Sequence, residues 1–143
     1  MTTIAYKDGI IAYDGRVTAG RTIVYDDFDK LREREGVFFL GTGATSEINE
    51  LIGLFFGEEI LGECGAEAIA VQDGALTLIG YYDGKLAKTP MLMDSPYAIG
   101  SGMDHALTAF DMGATAYQAI EMAMKRDCGT GGKIRTLTVK VES

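Results

Sequence analysis

The chain has 143 residues, 47% of them hydrophobic and 24% charged, an ordinary make-up for a soluble globule, and one long enough to bury roughly 70% of its unfolded surface without staples. Thirteen Lys and Arg against 21 Asp and Glu leave a net charge of −8, which argues against nucleic acid as a main partner and against anionic membranes. No run approaches the ~20 apolar residues of a membrane span, and the start lacks the basic and apolar regions of a signal peptide.

The elements follow in blocks. Thr3–Tyr6 and Ile10–Tyr13 are short β-type runs joined through Asp8-Gly9, a hairpin signal. Ile23–Tyr25 and Val37–Leu40 read as further strands, the first inside a run of paired strands between Asp14 and Lys30. Gly41-Thr42-Gly43 leads into Ser46, and Ile48, Leu51, Ile52 and Phe55 then recur at helical spacing. Glu47 sits in that helix's first turn and Gly57 stops it. Ala68–Gln72 and Ala75–Tyr81 flank a second hairpin signal, Asp73-Gly74, and Tyr81-Tyr82-Asp83-Gly84-Lys85 marks a third turn.

Tyr97–Gly100 is a strand that runs into two helices. Ser101 with Asp104 predicts a capping box for the first, with Met103, Ala106, Leu107 and Phe110 on one face and Gly113 at its end. Thr115 with Gln118 predicts a capping box for the second, whose apolar stripe is Ala116, Ala119, Ile120, Ala123 and Met124. Lys125 and Arg126 oppose its dipole in the last turn. Ile134–Val141 closes the chain as a strand. This order predicts an α+β sandwich in a single domain over 1–143.

Cys64 and Cys128 read as free thiols in a reducing, cytoplasmic setting. The lone histidine, His105, reads as a structural helix residue, and the chain has too few ligands for a His/Cys metal site. Gly41-x-Gly43 has Ser46 where a dinucleotide fingerprint needs its third glycine, and Gly132-Lys133 lacks the Ser or Thr of a phosphate loop.

The chemistry-bearing pattern is at the start. Removal of Met1 would make Thr2 the first residue, with a hydroxyl nucleophile and a primary amine on one residue. The amine can then act as its own general base. Asp14 and Lys30 flank the paired-strand run, a spacing that can return a carboxylate and an ammonium to the chain start. Each residue also has a plainer reading: Thr2 and Thr3 as edge-strand residues, Asp14-Gly15 as a hairpin turn, and Lys30 as part of the solvated charge run Asp26–Glu35. Ser101 can be a helix cap and Asp127 a loop residue after a helix.

Five segments together resemble the proteasome β-subunit and HslV peptidase family, the threonine branch of the amino-terminal-nucleophile hydrolases. They are Thr2-Thr3-Ile4, Asp14-x-Arg16-x-Thr18-x-Gly20, Asp29-Lys30-Leu31, Ala98-Ile99-Gly100-Ser101-Gly102 and Arg126-Asp127-Cys128-Gly129-Thr130-Gly131-Gly132, in family order over nearly the whole chain. The chain is shorter than most members, mainly between the first helix and Gly100.

The resemblance implies a four-layer αββα sandwich, two antiparallel sheets flanked by helices, with the nucleophile at the start of the first strand. It implies that Thr2 attacks a peptide carbonyl, that Lys30 lowers the hydroxyl's pKa and that Asp14 orients Lys30. Ser101, Asp127 and Thr130 would support the amine, Thr130 standing where the eukaryotic and archaeal subunits usually carry serine. Gly43 would supply an oxyanion donor, and backbone around Thr18 and Thr45 would pair with an extended substrate. The family uses no metal or cofactor. Its members act on peptides or unfolded proteins inside rings, some with an ATPase unfoldase, which implies a homo-oligomeric ring for this chain. A non-catalytic ring subunit and an amidase for small amides are the other readings.

Overall fold

The computed structural model describes residues 2–139. Among them the chain forms, in order, β1 (Thr3–Lys7), β2 (Ile10–Tyr13), β3 (Val17–Ala19), β4 (Thr22–Tyr25), β5 (Arg32–Arg34), β6 (Val37–Thr42) and α1 (Thr45–Phe55). There follow β7 (Glu67–Gln72), β8 (Ala75–Tyr82), β9 (Lys85–Pro90), β10 (Tyr97–Gly100), α2 (Met103–Asp111), α3 (Ala116–Arg126) and β11 (Arg135–Thr138). The class is α+β, with three helices and antiparallel sheets among the described residues. None of these helices is long and apolar enough to cross a membrane.

Asp8-Gly9, Asp73-Gly74 and Asp83-Gly84 each close a two-residue hairpin, as their chemistry predicts, with both central residues at positive φ. Glu35-Gly36 adds a fourth between β5 and β6. Pairing then gives a four-stranded sheet in the order β10-β1-β2-β11 and a five-stranded sheet in the order β5-β6-β7-β8-β9. The hairpin β3-β4 forms a separate two-stranded sheet.

The alternation of side chains along the strands sorts the apolar residues into three clusters. Ile4, Tyr6, Ile11 and Tyr13 of the four-stranded sheet pack with Leu40, Ile69, Val71 and Leu76 of the five-stranded one. The opposite face of β1, β2 and β10, Ala5, Ala12 and Ala98, meets Ala106, Phe110, Ala116, Ala119 and Ile120 of α2 and α3. Alanines on that face let the two helices lie close to the sheet. Phe39, Ala68, Ala70 and Ile79, on the other face of the second sheet, meet Ile48, Leu51 and Ile52 of α1. Leu54, Phe55 and Phe56 also fold back onto that cluster, with both rings edge-on to Phe39, so α1 turns most of its apolar width inward.

Four expectations are corrected. The capping box of Ser101 and Asp104 does not form: Gly102 precedes α2 and no side chain caps it. The box of Thr115 and Gln118 does form at α3, with both reciprocal bonds present at 3.0 and 3.1 Å. Arg32–Arg34 pairs as a strand within what reads as a solvated charge run, and Lys85–Pro90 continues past the third turn as another. The closing strand spans Arg135–Thr138 in place of Ile134–Val141, and Val141 lies outside the described residues. Val139 follows it, buried, its N–H donating to the Gly9 carbonyl at 2.7 Å.

Candidate active site

β1 is hydrogen-bonded on both sides, to β10 and to β2. Thr3 therefore begins an interior strand with Thr2 just before it, and the edge-strand reading fails. Thr2 is 6% exposed, and its carbonyl accepts the Ser101 N–H at 2.9 Å. Gly100 makes that approach possible. Its φ is +102°, and a Cβ there would collide with the Thr2 carbonyl oxygen.

Asp14 leaves the end of β2, and no hairpin turn forms there: its backbone is absent from the positive-φ residues that mark the other Asp-Gly turns. Its side chain is fully buried. Oδ1 accepts the Thr3 N–H at 3.2 Å, and Oδ2 accepts the N–H groups of Gly131 at 3.0 Å and Arg16 at 3.4 Å. The chain after β4 is drawn back to this point by the Phe28 N–H, which donates to the Gly15 carbonyl at 3.0 Å. Asp29 then accepts the Leu31 N–H at 3.0 Å and the Tyr13 hydroxyl at 3.2 Å. This local turn sends Lys30 inward while Asp26, Asp27 and Asp29 stay exposed.

Lys30 Nζ lies 2.7 Å from Asp14 Oδ1 and 2.9 Å from Thr2 Oγ1. Its side chain is 8% exposed, so Lys30 does not belong to the solvated run around it. Burial pulls the ammonium below its ordinary 10.5, against the charge and hydrogen bond of Asp14, which push it up. Nζ donates to the threonine hydroxyl, which leaves the Oγ1 proton free to point elsewhere.

A second group of hydroxyls lies beside this line. Ser101 Oγ and Thr130 Oγ1 donate to Asp127 Oδ2 at 2.5 and 2.6 Å. Burial raises the Asp127 carboxyl, but these two bonds, the Gly129 N–H and the nearby His105 outweigh it and hold the group below its ordinary 3.8. Thr130 spends its proton on Asp127, so the 2.6 Å contact with Thr3 must be a donation from Thr3 Oγ1 to Thr130 Oγ1. Thr3 Oγ1 in turn accepts the Gly102 N–H at 3.0 Å. Thr3 thus joins the two groups, through its N–H to Asp14 and its hydroxyl to Thr130. The only sequence signal for it is the Thr-Thr doublet.

The Thr2 hydroxyl opens on a cleft of about 130 Å³ lined by Lys30, Thr18, Gly43 and Thr45 among others. All three backbone positions expected to hold a substrate therefore share one cavity with the expected nucleophile. Gly43 has a φ of +123°, and a Cβ there would press on the Ala66 backbone at 3.1 Å. α1 starts at Thr45 with Ala44 as its uncapped N-terminal neighbour, so the positive end of its dipole borders the cleft. Ser101, Asp127 and Thr130 do not line it. Arg16, Phe28 and Arg32 do, and Arg16 clamps Asp26 at 2.8 and 3.2 Å while donating to the Cys128 carbonyl at 3.0 Å. Only Arg16 of these three falls in a motif segment. No protein-family model matches the chain, and no curated protein matches it.

Proposed function

We propose that this chain is a threonine-type endopeptidase that cleaves peptide bonds through Thr2 after removal of Met1. The observation that carries the reading is the buried line from Thr2 Oγ1 to Lys30 Nζ to Asp14 Oδ1, at 2.9 and 2.7 Å. Burying a lysine against its own solvation costs several kcal/mol, roughly, before its partner offsets it. The hydroxyl satisfies one of the ammonium's three donors, and the catalytic reading is supported by the place of that hydroxyl's residue on the wall of a cleft.

In this reading the neutral α-amine of Thr2 accepts the Oγ1 proton as Oγ1 bonds to the substrate carbonyl carbon. The carbonyl oxygen gathers negative charge and is met by the Gly43 N–H at the positive end of α1. Lys30, held by Asp14, favours the alkoxide character of Oγ1. The amine passes its proton to the leaving nitrogen as the C–N bond breaks, and water then hydrolyses the ester and restores the hydroxyl. Ser101, Asp127 and Thr130 position the first residue through Thr3 and the Thr2 carbonyl. Backbone near Thr18 and Thr45 pairs with the substrate as an added strand. No metal or cofactor takes part.

The proposal extends to the architecture and setting: one domain over 1–143, and four layers ordered helix, sheet, sheet, helix. The three clusters support it, because the sheets share one and each sheet shares another with its own helices. Cytoplasmic homo-oligomeric rings, served by an ATPase unfoldase, would confine a peptide site of this kind.

The test joins intact mass to activity. A chain beginning at Thr2 should hydrolyse fluorogenic peptides and take one peptide epoxyketone on Thr2. Thr2→Ala should lose both, and Thr2→Ser should keep some turnover. Full turnover by Thr2→Ala, or by a chain whose mass shows Met1 retained, rejects the assignment.

A further inference from the structure

Three side chains on the cleft wall are charged, Arg16, Lys30 and Arg32, and all three are cations in a chain of net charge −8. Arg16 is committed to Asp26 and Lys30 to Asp14. Arg32 differs. Among the described residues it makes no salt bridge, and its one hydrogen-bonded partner is a neutral amide: Nη1 donates to Asn49 Oδ1 on α1. The remaining guanidinium N–H groups have no carboxylate to meet.

The fold holds Arg32 in this state. It opens β5 and is paired with Phe39 of β6, so its backbone cannot swing the side chain away. Asn49 lies one helical turn beyond Thr45, which lines the same cleft. Arg32 is only partly exposed, and burial pulls its guanidinium below its ordinary range, with no acidic neighbour among the described residues opposing that. Exposed Arg34, on the same strand, pairs with Glu58 and Glu35. Among the described residues, carboxylates pair with Arg34 and Arg16, and none pairs with Arg32, which lines the cleft with Thr2. An arginine fork so placed matches a carboxylate better than any other side-chain group.

We propose that Arg32 selects a substrate whose side chain next to the scissile bond is acidic, so that cleavage follows Glu or Asp. The inference rests on the peptidase reading of Thr2 and supplies its substrate class. With Arg16 and Lys30 each neutralised by an aspartate, Arg32 is left as the source of positive field on the cleft, and low-dielectric walls focus it there. The small volume, about 130 Å³, suits a single side chain.

Two measurements separate this inference from the reading beneath it. The first needs no catalysis. Two blocked peptides that end in Glu or in its neutral isostere Gln are titrated calorimetrically into the Thr2→Ala chain. The Glu peptide should bind tighter by roughly ten- to hundredfold, the range for one charge-assisted hydrogen bond. Arg32→Gln should erase that difference. Equal binding of the two peptides, or a difference that survives in Arg32→Gln, overturns the inference whatever the chain's activity.

The second measurement uses the chain beginning at Thr2. Hydrolysis after Glu should exceed hydrolysis after Leu or Arg in kcat/KM, and Arg32→Glu should reverse the order between Glu and Arg. A Leu or Arg preference in the unmodified chain overturns the inference. Glu-selective binding with no hydrolysis of any peptide leaves the Arg32 assignment standing and rejects the peptidase reading.

Discussion

Lys30 is the residue on which the two halves of the site depend. Lys30→Ala should lower kcat by roughly 10²–10³-fold, the range for losing one preorganised electrostatic group, with a smaller change in KM. It should also destabilise the fold, because Asp14 is left as a buried carboxylate without its cation. Three backbone N–H groups still reach that carboxylate, so the cost belongs at the low end of the usual range, about 3 kcal/mol by urea unfolding. A variant that keeps both its rate and its stability would return Lys30 to the solvated charge run. Titration gives a second handle. Activity should rise as the α-amine loses its proton near its usual pKa of about 7.7–8.0. It should fall again as Lys30 deprotonates below 10.5. Asp14 pushes the Lys30 pKa up, so Asp14→Asn should move the alkaline limb of the kcat profile to lower pH. An unmoved limb would show that another group sets it.

At the scale of elements, two similar sequence patterns had different fates. Thr115 and Gln118 cap α3 because nothing else competes for them on an exposed helix end. Ser101 carries the same local pattern, but Asp127, 26 residues on, takes its hydroxyl at 2.5 Å. The two substitutions should therefore read out differently. Thr115→Ala should cost about 1 kcal/mol of stability, a typical cap loss, with little effect on turnover. Ser101→Ala should leave α2 without a cap penalty, since no side chain caps it, and should instead lower kcat by removing one donor from Asp127. Equal stability losses in thermal melts, with unchanged kinetics in both, would contradict this assignment. The two unanticipated strands, β5 and β9, have a common cause. They are the edges of the five-stranded sheet, and edges carry charge, and at β9 a proline, in place of an alternating apolar face. Their identity comes from the partner strand's free hydrogen-bonding groups, which no local pattern announces.

At the scale of the molecule, the β3-β4 hairpin stands apart from both larger sheets. Ile23, Val24, Tyr25 and nearby Phe28 are all exposed, so the hairpin shows apolar side chains on both faces. An isolated two-stranded hairpin is marginal in water, and apolar exposure of this kind marks an interaction surface. The wide apolar face of Ile48, Leu51, Ile52, Leu54, Phe55 and Phe56 suits a ring contact or burial against its own sheet equally well in sequence, and the structure packs it largely on that sheet. We therefore expect the proposed ring, about six or seven copies by analogy with its suggested relatives, to depend on the hairpin. Multi-angle light scattering should find a closed oligomer, and the double variant Val24→Asp, Tyr25→Asp should break it into smaller species while α2 and α3 keep their far-ultraviolet signal. A monodisperse monomer of the unmodified chain at working concentration would reject the compartment and favour a small-amide hydrolase.

Local chemistry alone determined much of this protein. Asp-Gly pairs dictate three hairpins, because few other residues tolerate two consecutive positive φ values. The helical spacing of Ile48, Leu51 and Ile52, and of Ala116, Ala119, Ile120 and Ala123, places the buried faces of α1 and α3. Thr2, Asp14 and Lys30 could be named as a set because five segments together resemble one family; each residue alone has a plainer reading. The tertiary structure alone decided that they meet. A charge run looks solvated in sequence, and only the Asp29 turn and the buried Asp14 carboxylate turn Lys30 inward. Thr3 and Arg32 were beyond local reading for the same reason. Each gets its meaning from atoms far along the chain: Thr130, 127 residues away, for Thr3, and, for Arg32, the cleft it shares with Thr2. Periodicity reports what faces the core, whereas a site is made by polar groups whose partners are brought close only when the sheets have paired.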